Sequence, residues 1–440
     1  MKPILLVGLV FALCLFVRGD KDVIAAQAQG APQRYIVVLD ESIEADRVPQ
    51  VARDVASLHG LAVEHIYTHA LKGFSAAIPA QRLDAVRNDP RVNSVTLDRP
   101  VQAFCHAQIP EPIPTGVNRV NADVSPTANI NLTDDRVNAE IAILDTGVYS
   151  QHYDLYVVAG VDCTKSGCPS VTPTDKNGHG THVAGTAAAK DNNQGPVGVA
   201  PGARIRSVKV LADNGMGWTS WVIAGINYVT ANAGTIDVAN MSLGGSGSDT
   251  ANCGVSNGTV VDPFHKAICN SVEKGVVYVV AAGNESNDVS TTTPAAYPEV
   301  IAVSAIADSD GVPLGVGPAT RYGNDDTFAS FSNFGSQVAI AAPGVNIYST
   351  YPGDRKAPQG YCATMSGTSM AAPHVAGGAA LYVAGHRASK STTSSWVATV
   401  RSALLSAATP QHSPYGFTGD PDHTVHPSPL DEPLLDVGTL

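Results

Sequence analysis

Four side chains in this sequence are of the types that cut acyl bonds: Asp145, His179, Asn284 and Ser369. A serine hydroxyl is a weak nucleophile until a base accepts its proton. An imidazole titrates near neutrality, and a carboxylate can hold that imidazole in one tautomer. Ser369 follows Gly367-Thr368 and precedes Met370-Ala371-Ala372-Pro373-His374, a turn leading into small residues and a proline. Proline is tolerated in a first helical turn, so a helix is predicted over 371–386 with Ser369 at its N-terminus. Free N–H groups and the dipole favour an anion there, which makes the Ser369 N–H a candidate oxyanion donor. Serine is also a preferred helix cap, so this segment alone leaves both readings open.

Asp145 closes the apolar run 139–144 in Ile-Leu-Asp-Thr-Gly, at the carboxyl end of a predicted strand. Ligands and catalysis gather at that end in open α/β sheets. His179 lies between glycines in Asn-Gly-His-Gly-Thr-His and suits a general base. A rival reading pairs it with His182 as metal ligands, with Asp175 as a third. His182 reads better as a buried, hydrogen-bonded residue. Asn284 ends Ala281-Ala282-Gly283, where it can cap a turn or point an amide N–H at an oxyanion.

These positions require elements to hold them. From residue 139 the pattern alternates strand and helix. Strands are predicted at 139–144, 205–211, 237–241, 276–281, 300–305 and 338–341. Helices are predicted at 182–190, 219–232, 262–274, 371–386 and 394–407. Most of the strands are continuous apolar runs, as strands covered on both faces are. The fold class is therefore α/β, a parallel sheet with helices on both faces. Leu434–Val437 is a further strand candidate.

An independent unit precedes this. Residues 29–104 read β-α-β-β-α-β, a small α+β ferredoxin-like domain. Residues 105–117 contain Pro110, Pro112 and Pro114 and read as an extended, accessible linker. Residues 1–28 have a basic start and then about fifteen apolar residues, short of the ~20 a membrane span needs, and read as a secretory signal. The remainder, 118–440, is the main domain.

The net charge of −12 argues against nucleic acid and anionic membrane surfaces as partners. Of the seven cysteines, Cys14 lies in the signal. In an exported chain, Cys163 with Cys168 and Cys253 with Cys269 read as local disulfides. Cys105 and Cys362 are left over, and Cys362, seven residues before Ser369, reads as a free thiol near the site.

Asp, His and Ser in that chain order, with Asn between His and Ser, is the order of subtilisins and not that of chymotrypsin or the α/β-hydrolases. The segments Asp145-Thr146-Gly147, His179-Gly180-Thr181-His182-Val183-Ala184-Gly185-Thr186 and Gly367-Thr368-Ser369-Met370-Ala371-Ala372-Pro373-His374 closely resemble the subtilisin-like serine proteases. The resemblance runs from about residue 118 to at least 407, and residues 33–104 resemble that family's inhibitory propeptide.

The resemblance implies Ser369 as nucleophile, His179 as base, Asp145 as its support and Asn284 as oxyanion donor. It also implies Ser242-Leu243-Gly244-Gly245 and Ala281-Ala282-Gly283 as walls of the specificity pocket. Gly215-Met216-Gly217 would be an edge strand to which an extended substrate adds. No cofactor is expected for the chemistry. A structural calcium is expected at Asp154 and Asn192. A second calcium site of the family is not expected, because Ala339 stands where it needs an acid. The implied protein is a secreted, monomeric endopeptidase made as a self-processed zymogen. Its partners are protein or peptide substrates and its own propeptide. A metal hydrolase built on His179 and His182, or a non-enzymatic binding module, are the rivals.

Overall fold

The computed structural model describes residues 33–98, apart from 41 and 69–70, and residues 112–440, apart from 172–173, 354–360 and 422–430. The predicted signal and most of the predicted linker lie outside the described residues. The chain divides into two compact units, Met1–Gln102 and Ala103–Leu440.

In the first unit, strands β1 (Gln33–Leu39), β2 (Val63–Tyr67), β3 (Gly73–Ile78) and β4 (Val92–Leu97) form an antiparallel sheet in the order β2-β3-β1-β4. Helices α1 (Val48–Leu58) and α2 (Ala80–Arg87) complete the predicted β-α-β-β-α-β order. Val48, Ala52, Val55 and Ala56 of α1 are buried together with Val37, Leu39, Phe74 and Ile78 of the sheet. That spacing puts one helix face on the sheet.

The second unit is built on an eight-stranded sheet. Its strands are β5 (Glu140–Asp145), β6 (Val157–Asp162), β7 (Arg204–Lys209), β8 (Val238–Met241), β9 (Val277–Ala281), β10 (Ile301–Ala307), β11 (Thr327–Phe328) and β12 (Val338–Pro343). The order is β11-β10-β9-β8-β5-β7-β6, with β12 also on β10. Every pairing is parallel except that of β11 with β10. Parallel strands need crossovers, supplied here by α3 (His179–Ala188), α4 (Thr219–Ala231) and α5 (Pro263–Val272). Helices α6 (Thr368–Gly385) and α7 (Ser394–Ala407) follow the sheet. Strands β5, β8, β9, β10 and β12 are buried at every residue, which is why they read as unbroken apolar runs.

Several features differ from the sequence reading. Strand β6 and the hairpin of Ile347–Thr350 with Cys362–Met365 were not expected. Leu434–Val437 forms no strand; Leu434 makes only isolated bridges to Ala341 and Thr409. Helix α6 starts at Thr368, so Pro373 lies inside it rather than in its first turn. Proline lacks the N–H that would reach the carbonyl four residues back, that of Ser369. The Ser242 hydroxyl fills the gap, donating to the Ser369 carbonyl oxygen at 2.7 Å.

Candidate active site

Asp145 is the last residue of β5 and wholly buried, at the carboxyl end of the sheet. His179 opens α3, and its Nδ1 lies 2.8 and 3.0 Å from the two Asp145 carboxylate oxygens. Two local features bring strand and helix this close. Gly178 takes the left-handed conformation before α3, and a Cβ on Gly180 would collide with the Gly147 carbonyl oxygen. Burial pushes the His179 pKa down, but the Asp145 carboxylate outweighs it, with help from Asp175, and holds the pKa above the usual histidine value.

The metal reading fails on the commitments of its own donors. Asp175 accepts from Thr146 Oγ1, the Asn177 and Gly178 N–H groups, and both the N–H and hydroxyl of Thr181. His182 Nε2 lies 2.9 Å from the Ile347 carbonyl oxygen and 3.2 Å from that of Ala363. Its full burial drives its pKa down to about 3. It fastens α3 to both strands of the hairpin, and His179 Nδ1 is already engaged by Asp145.

Ser369 is the second residue of α6. Its hydroxyl donates to the Ser242 carbonyl oxygen at 3.2 Å. Among the described residues no hydrogen bond joins it to His179; such catalytic contacts commonly close only around substrate. Ser242 thus meets Ser369 twice, and Asn240 Nδ2 donates to the Ser242 hydroxyl at 3.0 Å.

Asn284 is exposed, yet its carboxamide is oriented. Its Oδ1 accepts from the Thr368 N–H at 2.8 Å and from the Thr368 hydroxyl at 2.9 Å. With the oxygen anchored, the Nδ2 end is the one left to face a ligand. The Thr368 hydroxyl in turn accepts from the Gly283 N–H at 3.1 Å.

Two adjoining cavities make up the cleft, and one of them reaches Ser369. One, of about 310 Å³, is lined by Leu243, Gly244, Ala281, Gly283, Asn284 and Ser369 among others. Thr291 and Thr292 line it as well, and Glu285 and Asn287, which the sequence reading missed, complete it. Thr292 and Thr293 pair with Ser246 and Gly245, which closes this wall. Ala282 is buried behind it. The other cavity, of about 360 Å³, holds His179, Gly215, Met216, Gly217 and Ser242. Trp218, Val222 and Phe264 add an apolar lining that the sequence reading also missed. The apolar positions of two helix starts were the available signal.

Residues 215–217 are not paired as a strand but follow a turn at 213–214, across which the Ala212 N–H donates to Met216 O and the Gly215 N–H to Ala212 O. An edge segment has nothing to pair with until an extended chain lies beside it.

Asp154 is buried, and Asn192 Nδ2 donates to its Oδ1 at 3.0 Å. A Cβ on Gly195 would stand 2.6 Å from Asp154 Oδ2, so glycine keeps room beside that oxygen. A carboxylate and a carboxamide together fit a calcium ion. Disulfides join Cys163 to Cys168 and Cys253 to Cys269. Cys362 is also disulfide-bonded, which corrects its reading as a free thiol.

This geometry agrees with what similar proteins are. Residues 137–424 match the Subtilase family and residues 34–104 the Peptidase inhibitor I9 family. Subtilisin NAT of Bacillus subtilis subsp. natto is 35% identical over 388 residues, covering 86% of this chain and 88% of its own. An extracellular serine proteinase of Thermus sp. strain Rt41A is 34% identical over 407 residues, 87% of this chain and 86% of its own. The crystal structure of a cold-adapted subtilisin-like serine proteinase, 30% identical, superposes with a TM-score of 0.51 over 69% of this chain and 96% of the other. The chain belongs to the subtilase family. It is a subtilisin-like serine peptidase preceded by an inhibitor-type propeptide domain.

Proposed function

We propose that this protein is a secreted serine endopeptidase that acts through Asp145, His179 and Ser369. The observation that carries the reading is the pairing of buried Asp145 with half-buried His179, 2.8 Å apart, in a cleft that adjoins Ser369 at the start of α6. Ser369 Oγ attacks the scissile carbonyl carbon while His179 Nε2 takes its proton. Asp145 keeps Nδ1 protonated and supports the imidazolium that forms. The tetrahedral oxyanion is held by Asn284 Nδ2 and the Ser369 N–H. His179 then gives its proton to the leaving amine, and the acyl-enzyme remains. Water, deprotonated by His179, releases the acid. Leu243, Gly244, Ala281 and Gly283 seat the side chain before the cut, and 215–217 pairs with the substrate backbone.

Residues 29–104 act as the intramolecular inhibitor, and the linker 105–117 is where the enzyme cuts itself free. The inhibitor-family match and the extended proline spacing support this. Residues 1–28 direct export. Among the described residues no helix is long and apolar enough to cross a membrane. Asp154 and Asn192 hold a calcium ion that supplies stability and no step of the chemistry. The mature enzyme is a monomer.

Fluorophosphonate labelling followed by peptide mass spectrometry tests the reading. The label is expected on Ser369, in a chain that starts between 102 and 116. Ser369→Ala, expressed in a host without proteases, is expected to keep its N-terminal domain. A processed N-terminus in that variant would rule out self-cleavage. No label on a mature chain would rule out Ser369 as nucleophile.

A further inference from the structure

The segment between β10 and β11, residues 308–326, gathers acids that the catalytic cleft does not use. Asp308, Asp325 and Asp326 are buried and Asp310 half-buried. Among the described residues one cation reaches them: Arg119, itself buried. Its Nε donates to Asp326 Oδ1 at 2.8 Å, and its Nη2 lies 2.8 Å from the same oxygen. Nη2 also donates to the Tyr415 and Gly416 carbonyl oxygens. Nε passes 2.8 Å from Asp308 Oδ2, but its single hydrogen is spent on Asp326. Asp308 Oδ2 is wholly buried and accepts no hydrogen bond among the described residues.

Arg119 brings one positive charge, shared between Asp326 and Asp308, to four carboxylates. Three negative charges are left over, and one donor oxygen from each of Asp308, Asp310 and Asp325 lies within 4.8 Å of the others. Two oxygens on one calcium at ~2.3–2.6 Å are separated by at most about twice that distance, so the three can share one ion. Buried carboxylates that outnumber their cation are costly, and one further cation would offset that cost for all three at once. Burial, above all, and the neighbouring Asp326 and Asp325 push Asp308 up to about 7, against the pull of the Gly311 N–H and Arg119.

We propose that Asp308, Asp310 and Asp325 form a calcium site that fixes the 308–326 loop. The site is separate from Asp154 and Asn192. The loop it closes carries exposed Val312, Leu314 and Val316, apolar side chains that make poor anchors of their own. Calcium is favoured over magnesium because magnesium demands tight octahedral oxygens at ~2.0–2.1 Å and gives up water reluctantly.

The test uses the full chain with Ser369→Ala, which removes self-digestion. Calcium is counted by equilibrium dialysis in this parent, in the parent with Asp310→Asn, and in the parent with Asp154→Asn. Asp310 is the variant of choice because its Oδ1 accepts the Val312 N–H, which asparagine still can. Near-ultraviolet circular dichroism checks the fold, and Asp310→Ser, which also keeps an acceptor, is the second variant. The Asp310 variants are expected to bind one calcium fewer than the parent, and the Asp154 variant to keep this site. Chymotrypsin cleavage at Leu314 supplies an independent readout. At ten times Kd, calcium is expected to slow that cut about tenfold in the parent and not in the Asp310 variants. Equal calcium counts in parent and Asp310 variants, or a parent cut equally fast with and without calcium, would overturn the proposal.

Discussion

The cleft and the 308–326 loop both bury carboxylates, and they handle the charge differently. In the cleft one acid, Asp145, faces one imidazole at 2.8 Å, and its Oδ1 also accepts the Thr146 N–H. In the loop three buried acids face one guanidinium. The cleft is balanced by groups of the chain itself and stays ready for a proton. The loop holds more negative charge than the cations among the described residues neutralise, so its stability depends on the solution around it.

The largest expected effect is on the balanced side. Asp145→Asn leaves the shape of the cleft but unfixes the His179 tautomer, and kcat is expected to fall about 10⁴-fold, as for the same change in a chymotrypsin-type triad. The pH profile carries a sign. Activity requires neutral His179, whose pKa is raised, so kcat/KM of the parent rises with pH through a value above the usual histidine range. Without the Asp145 charge that limb moves to lower pH. A limb that stays put would mean that Asp145 does not set the His179 charge. On the unbalanced side, Arg119→Met strips the loop of its cation. In calcium-free buffer this is expected to cost about 3–5 kcal/mol, read from the urea midpoint at unchanged slope. Calcium should return part of it, whereas a loss that calcium does not touch would break the contrast between the two regions. Asn284→Ala removes an oxyanion donor without touching either charge cluster. A fall of about 10²–10³ in kcat is expected, the range known for a subtilisin's own asparagine, with KM little changed. A change in KM alone would make Asn284 a binding residue.

Much of the cleft was legible because it depends on short, rigid words of sequence. The apolar run ending in Asp145 and the glycines around His179 specify a strand end and a helix start that meet. The predicted helix 394–407 coincides with α7. The misses share a cause. Strand β6 is a short apolar run interrupted by Gly160, and its first three residues are exposed or half-buried, so it lacks the burial on both faces that marks the central strands. The hairpin strands lie eleven residues apart, beyond any local turn signal. The pocket wall at Thr292–Thr293 is set by pairing with residues 245–246, nearly fifty positions away. Helix α6 was predicted to start three residues late because a proline suggested a first turn. Its freed carbonyl finds a partner only in the folded chain, in Ser242. The Asp308-Ser309-Asp310-Gly311 run was visible in the sequence, but Asp325 and Arg119, which give it meaning, are remote.

That proline has a consequence for anyone redesigning the enzyme. Any other residue at 373 would restore an amide hydrogen four residues after Ser369, and that hydrogen would compete with Ser242 for a single carbonyl. Ser242 opens the wall of the specificity pocket. Pro373 therefore makes the nucleophile's backbone a tenant of the pocket wall rather than of its own helix, and a library that varies residues 242–245 is also varying where Ser369 stands.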